Sequence, residues 1–328
     1  MKYRGSRREL LKGGLTMGAA LALSPTLVEG DEVAAHAPLA APPPEGAEFL
    51  TAYPYGGQIL LRWNNHIVAA YRANPEQKYP YLGNLAGPAS GLSLTTESSL
   101  PYPHHRGVWL GCDPLHGGDY WKDSSHDRGQ VRTTRLEVLD QSPTAVSLAN
   151  DCTWERPGQS ALLDDSRTIK FHVVDEERRT IDFDITLTAK QDISIGKAKH
   201  SFFALRVAPD LAPQNGGTLV NAEGLVGEAE TYGQPTRWCD YYGARAQRPD
   251  VVEGIAVMDH PENPWAPCPW FTRDYGHLSP SPFNFLGKKW QLANGESIRL
   301  RYRVVLHAGS PKEADLNGLW GDWVSVKA

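Results

Sequence analysis

A chain of 328 residues carries 38 acidic against 33 basic side chains, a net charge of −5, and no basic cluster beyond its first residues. It offers no positive face to a polyphosphate, so a nucleic-acid partner is not expected. The four cysteines, Cys112, Cys152, Cys239 and Cys268, lie far apart with no Cys-x-x-Cys pair, which argues against a zinc knuckle or thioredoxin site. A disulfide is permitted outside the cytoplasm, where three connectivities would pair all four.

The chain opens with Ser6-Arg7-Arg8-Glu9-Leu10-Leu11-Lys12, then Gly13-Gly14 and an apolar stretch over residues 15–28 that is too short to span a bilayer comfortably. Paired arginines ahead of such a run predict a twin-arginine signal over residues 1–37, cleaved after Ala35 or Ala37. They imply passage through the twin-arginine export machinery to a periplasmic or other extracytoplasmic location. Residues 38–47, dense in Ala and Pro with three consecutive prolines, read as a stiff extended tether. Residues 48–328 are then one domain, with no linker to split it and no later apolar run that would give a stable membrane span.

Within that domain the clearest periodicity is two. Ile181, Phe183, Ile185, Leu187 and Ala189 alternate with Asp182, Asp184, Thr186 and Thr188, the pattern of a strand with one buried and one wet face. Residues 168–174 pair with it through the polar turn Asp175-Glu176-Glu177-Arg178 as a hairpin. Ile298, Leu300, Tyr302 and Val304 alternate with Arg299, Arg301 and Arg303 in another long strand. Shorter strands are expected at residues 58–63, 66–71, 131–139, 145–154, 202–207 and 254–258, with one helix at 311–323. Many strands and one short C-terminal helix predict an all-β fold, a large antiparallel β-sandwich. Neither a Gly-x-Gly-x-x-Gly after a strand nor a phosphate-binding loop is present, so a nucleotide cofactor is not supported.

Three stretches break the strand pattern while collecting polar and aromatic side chains. Residues 101–128 hold four of the eleven histidines, His104, His105, His116 and His126, with Arg106, Trp109, Asp113, Asp119 and Trp121. Residues 221–242 hold Glu223, Glu228, Glu230, Trp238 and Asp240. Residues 260–285, broken by prolines and read as ordered loop, hold Trp270, Arg273, Tyr275 and Asn284. Each side chain has a plainer role available: loop satisfaction for His104 and His105, a surface ion pair for Arg273-Asp274, core packing for Trp109 and Trp121. Taken together they predict a shared cleft, with His105, Arg106, Asp119, Trp121, Trp270, Arg273 and Tyr275 lining one concave pocket.

Several motifs resemble, in order, those of a family of soluble bacterial proteins known as the PmoA family or methane oxygenase PmoA: Tyr79-Pro80-Tyr81-Leu82, Pro103-His104-His105-Arg106-Gly107-Val108-Trp109, Asp119-Tyr120-Trp121, Gly254-Ile255-Ala256-Val257-Met258-Asp259-His260-Pro261 and Trp270-Phe271-Thr272-Arg273-Asp274-Tyr275-Gly276, with the strand at 181–189. The similarity spans residues 50–308. The chain departs from the family pattern where Cys112 stands at its His, Pro114 at its Asp and His116 at its Asn, and where Lys199-His200-Ser201 replaces Lys-Glu-Gly. The resemblance implies a strand-rich layout like that of the sandwiches of sugar mutarotases and polysaccharide lyases. Its label implies metal-dependent oxidoreductase chemistry.

The leading expectation is an exported enzyme acting on a carbohydrate or glycoside, of lyase, epimerase or hydrolase type, with a small-molecule or oligosaccharide ligand. His104, His105, Asp119 and Arg273 are the candidate catalytic residues; Arg106, Trp121, Trp270, Tyr275 and Asn284 are the candidate substrate contacts. The sequence requires no cofactor. The first alternative is a metal-dependent oxidoreductase with a divalent or copper ion on His105, His116 and His126, His104, Asp113 and Asp119 being further candidates. The second is a non-catalytic carbohydrate-binding protein.

Overall fold

The computed structural model describes residues 49–122, 125–285 and 287–326. The signal over residues 1–37 and the tether over residues 38–47 lie outside them. The strands in chain order are β1 (Leu50–Tyr55), β2 (Gln58–Trp63), β3 (His66–Arg72), β4 (Tyr81–Gly83), β5 (Val108–Asp113), β6 (Gln130–Gln141), β7 (Ala145–Glu155), β8 (Leu163–Val173) and β9 (Arg178–Ala189). They continue with β10 (Ile193–Ile195), β11 (His200–Arg206), β12 (Thr218–Asn221), β13 (Trp238–Arg245), β14 (Arg248–Asp259), β15 (Trp270–Arg273), β16 (His277–Pro280), β17 (Trp290–Leu292) and β18 (Ser297–Ala308). Among the described residues three α-helices accompany them, α1 (Gly227–Thr231), α2 (Pro282–Phe285) and α3 (Leu316–Ser325), with three single 3-10 turns.

The strands form two eight-stranded sheets, ordered β1-β2-β3-β4-β5-β11-β16-β15 and β12-β13-β14-β18-β9-β8-β7-β6, plus the small pair β10-β17. All pairings are antiparallel. The sheets meet face to face. Phe203 on β11 stacks on Tyr302 of β18 at 4.4 Å and meets the edge of Phe183 of β9 at 5.0 Å. The Tyr71 hydroxyl on β3 donates to Asn150 Oδ1 on β7 at 2.7 Å. This is the expected antiparallel sandwich, its core drawn from both inner faces.

The period-two strands stand where the alternation puts them. Along β9 the odd positions from Ile181 to Ala189 are buried and Asp182, Asp184, Thr186 and Thr188 half-buried. In β18 the alternation fails in the second half: Arg301 is buried and Arg303 nearly so, because a second apolar cluster covers that outer face. In that cluster Leu319, Trp320 and Trp323 pack against Trp238, Met258 and Val305. The two arginines are tolerated because each has a carboxylate, Glu262 for Arg301 and Asp182 for Arg303.

Three differences from expectation stand out. The stretches at 101–128, 221–242 and 260–285 are not free of strands: they contain β5, β13, β15 and β16. In β5 and β16 nearly every side chain is buried on both faces, so no alternation marks them. The C-terminal helix begins at Leu316 rather than 311, where the Asp315 side chain caps it by accepting from Gly318 N, and two one-turn helices exist besides it. All four cysteines are free and buried. Among the described residues, no helix is long and apolar enough to cross a membrane.

Candidate functional site

Three neighbouring strands at one end of the first sheet, β11, β16 and the edge strand β15, put a line of polar side chains on its outer face. Arg206 on β11 is registered opposite His277 on β16, and His277 opposite Arg273 on β15. Direct cross-strand partners share a face, and the flanking Leu205 and Leu278 point the other way, into the sandwich. Trp109 on β5 and Phe271 on β15 lie on that same outer face by the same alternation.

Over this line folds the segment before β5. His105 N donates to Tyr102 O, and Gly107, with φ of +54°, lets the chain drop into β5 at a point where a Cβ would meet Leu82 O at 2.1 Å. The His105 ring thereby stacks on His277, centroids 4.6 Å apart and planes within 25°, with His104 edge-on at 4.6 Å. Tyr102 and Trp109 flank it at 5.2 and 5.4 Å. From the far sheet the buried Tyr241 hydroxyl reaches Arg273 O at 2.6 Å and His277 O at 3.0 Å, pinning both ends of the β15–β16 turn. That turn is also clamped to α1: Arg273 Nη1 donates to Glu228 Oε1, Asp274 N to Glu228 Oε2, and Glu228 N to Asp274 Oδ1.

The result is a pocket of about 120 Å³ lined by Tyr102, His104, His105, Lys122, Lys199, His200, Phe271, Tyr275 and His277. No carboxylate is among these lining residues. Asp113 stands just behind: Lys122 Nζ donates to its Oδ2 at 2.6 Å, and His200 Nδ1 lies 3.9 Å from the same oxygen. The His200 ring stacks on the Trp121 indole at 5.1 Å.

Electrostatics separate the histidines. Burial, with the neighbouring charges of His104, Arg206 and His200, pushes His105 down to about 2. Burial and then His105, His200 and the two arginines push His277 well below the ordinary imidazole range. Both are therefore neutral at physiological pH. Burial favours the neutral form of Asp113, but the neighbouring His200 imidazole and the hydrogen-bonded Lys122 ammonium outweigh it and hold its carboxyl at about 2. Burial pushes the Tyr275 phenol up to about 12. Around the pocket, His105 Nδ1, His277 Nδ1, Trp109 Nε1, Trp121 Nε1 and Arg206 Nε and Nη1 are buried without a protein hydrogen-bond partner. Such a concentration of unmet donors and acceptors is costly unless water or a ligand meets them.

Of the residues singled out by sequence, His104, His105 and Tyr275 line the pocket, Trp121 packs beneath it, and Arg273 forms its outer flank with the guanidinium 4.0 Å over the Phe271 ring. The others stand elsewhere. Asp119 is buried and its Oδ1 accepts from Trp121 N and Lys122 N, so it shapes a turn and does not face the pocket. Trp270 is fully buried with its indole donating to Thr236 O, and no sugar can reach it. Arg106 lies over the ring of Tyr81, which donates to Glu97. Asn284 donates to the Tyr232 hydroxyl one layer behind Phe271. His116 sits in an exposed turn, its carbonyl accepting from Arg156, and His126 opens a single 3-10 turn, His126–Arg128. Among the described residues no three His, Cys, Asp or Glu side chains are grouped to hold a metal ion, so His105, His116 and His126 do not converge.

Lys122, Lys199, His200, Phe271 and His277 on the pocket wall, and Arg206 beside it, are not among the side chains expected at the site from sequence. His277 lies one residue past the Arg273-Asp274-Tyr275-Gly276 motif, and its separation of two from Tyr275 was the available signal. His200 and Lys199 fell where the segment was noted only as a departure from a pattern.

Fold and site thus define a two-sheet β-sandwich with a histidine-rich, carboxylate-free pocket on the outer face of one sheet. The chain belongs to a family of unknown function (DUF6807), which matches residues 51–321. No curated protein sequence matches it. Among solved structures it is similar to a polysaccharide lyase at 14% identity and a TM-score of 0.33, covering 74% of this chain but only 32% of that one. A putative aldose 1-epimerase from Klebsiella pneumoniae subsp. pneumoniae gives 10% identity, a TM-score of 0.42 and coverage of 85% and 92%. A heparan sulfate lyase from Pedobacter heparinus gives 9%, 0.30, and coverage of 80% and 35%.

Proposed function

We propose that the chain is an exported enzyme that acts on a carbohydrate by moving protons, of the lyase or epimerase type. The observation that carries this is the stacked pair His105 and His277: two imidazoles held neutral at physiological pH, each with a buried Nδ1 that no protein group meets. Burial and the facing cations by themselves make both imidazoles poor proton acceptors, and an anionic substrate seated in the pocket would raise their proton affinity toward what a base needs. A phenol that stays protonated to about pH 12, Tyr275, gives a proton up to a developing alkoxide. All three side chains stand on the wall of one pocket. Glycoside hydrolysis in its common form needs two carboxyl groups facing the scissile bond, and the lining residues supply none, which favours elimination or epimerisation. In an elimination, the imidazole takes the C–H proton, the electron pair forms the C=C bond, the C–O bond breaks, and Tyr275 protonates the departing oxygen. Tyr102 and Phe271 give the rim apolar faces on which a sugar ring packs. The twin-arginine address at residues 6–12 supports action outside the cytoplasm. Of the motifs that resemble the soluble PmoA family, His104-His105-Arg106-Gly107 supplies His104 and His105 to the pocket wall and Arg273-Asp274-Tyr275-Gly276 supplies Tyr275.

The test is turnover of a panel of acidic and neutral oligosaccharides, followed by the ultraviolet absorbance of an unsaturated product and by proton exchange at the sugar carbon in deuterated water. His105→Ala, His277→Ala and Tyr275→Phe are each expected to lower kcat by about a hundredfold or more. Full turnover by the folded double variant His105→Ala/His277→Ala would rule the mechanism out, and ligand affinity without turnover in every form would mark a binding protein instead.

A further inference from the structure

The charges around the pocket do not cancel. Arg273 is answered by Glu228, and Lys122 by Asp113. Lys199, on the pocket wall, has the Phe271 ring 5.4 Å from its ammonium and no ion pair among the described residues. Arg206 is 5% exposed, its guanidinium 4.7 Å from the centroid of the Tyr275 ring, with Nε and Nη1 unpartnered and no ion pair among the described residues. Burying a guanidinium against phenol and imidazole rings without a carboxylate is expensive. With Lys199 it leaves a positive field in a small, partly apolar concavity, where low-dielectric walls focus it.

We propose that the pocket takes a sugar bearing a carboxylate, a uronate, whose charge Lys199 and Arg206 offset. The assignment rests on the proton-transfer reading for the choice of carboxylate over other anions. A proton on the carbon next to a carboxylate is the one a neutral imidazole can remove, because neighbouring cations stabilise the enediolate that results. A neutral sugar would leave the two cations unanswered. The arginine is set behind Tyr275, so it acts through the field, and Lys199 at the wall makes the direct contact.

The experiment is calorimetric titration of the whole protein, at low ionic strength, with oligosaccharides of galacturonate, glucuronate and mannuronate. Each is compared with its carboxyl-reduced neutral counterpart, and a sulfated neutral oligosaccharide forms a third arm. At least one uronate is expected to bind ten times or more tightly than its neutral partner, with affinity falling as salt rises. Lys199→Met is expected to remove most of that preference without touching the fold, since Lys199 is exposed. Arg206→Met, checked for folding by its near-ultraviolet dichroism, should weaken uronate binding several-fold and leave the neutral sugar unchanged. Equal affinity for acid and neutral members, binding of no uronate, or preference for the sulfated arm would each overturn the assignment. Because the readout is binding, a uronate preference without turnover refutes the catalytic reading alone. Turnover of neutral sugars with no uronate preference refutes this inference alone.

Discussion

The imidazoles of His105 and His277 stack at 4.6 Å although one stands on a loop before β5 and the other begins β16. Their low pKa values make a statement about stability. An imidazole held near 2 in the fold stays neutral where the unfolded chain, titrating near about 6.5, takes up a proton. Below that pH the unfolded state binds more protons, so stability is full above about 6.5 and falls as pH drops toward the folded value. His307 runs the other way: burial opposes its charge, but Asp240 at 3.1 Å raises it, so its contribution is present in acid and lost as pH rises through its folded pKa. Replacing His277 with Gln should reduce the dependence of unfolding free energy on pH between 6 and 5 by about one proton, roughly 1.4 kcal/mol per pH unit. Urea titrations at a series of pH values measure it, and an unchanged slope would show that His277 is not held neutral.

Trp270 and Tyr102 should separate cleanly. Trp270 is 0% exposed and bonded to Thr236 O, whereas Tyr102 is 38% exposed on the pocket rim. Trp270→Ala should cost about 3–5 kcal/mol of stability, the range for truncating a buried aromatic. Tyr102→Ala should cost less than about 1 kcal/mol while weakening ligand binding. Equilibrium denaturation of both variants decides; similar losses would contradict the placement of Trp270 in the core.

Asp119 is expected to act on the backbone alone. Its Oδ1 accepts from Trp121 N at 3.0 Å and Lys122 N at 2.9 Å. Asp119→Ala should therefore destabilise by about 1–3 kcal/mol, with Asp119→Asn restoring most of it, since an amide oxygen accepts the same bonds. The pH profile of kcat should keep its shape in the Asn variant. A profile that loses a limb would return Asp119 to the chemistry.

How much of this was legible depends on where each strand sits. Strands with one wet face, such as β9, announce themselves by alternation, and the sandwich followed from them. The strands that carry the site are buried on both faces, β16 as four consecutive buried residues, so their composition resembles a polar-aromatic loop. For the same reason Trp270 and Trp121 looked alike in sequence: an indole on a core strand and one beneath a pocket have the same letter, and only the packing of Trp121 against His200 distinguishes them. Asp119 beside Trp121 suggested chemistry because a carboxylate that bonds two backbone amides leaves no trace in spacing. The pairing that matters most, His105 with His277, joins distant segments through sheet order, which no local pattern encodes.

Gly276 provides the most direct link from one residue's backbone to the site. It stands at φ of +92°, between Tyr275 and His277, and a Cβ there would meet Val207 Cγ2 at 2.6 Å and Ala212 Cβ at 3.2 Å. Its amide donates to Arg273 O and its carbonyl accepts from Val207 N, so the turn cannot move away without losing both bonds. Gly276→Ala thus combines a disfavoured conformation with a clash between packed elements, and should cost about 2 kcal/mol or more. Gly295 is the control: φ is +84°, but nothing lies within 4 Å of a Cβ, so Gly295→Ala should cost only the conformational part, about 1 kcal/mol. Because the turn carries Tyr275 and His277, the Gly276 variant is also expected to lose ligand binding under conditions where it is still folded, and the Gly295 variant to keep it. Thermal melts and titrations on both proteins test this together. Equal stability losses would mean that the Val207 contact yields easily, and intact binding by Gly276→Ala would mean that the turn does not fix the positions of Tyr275 and His277.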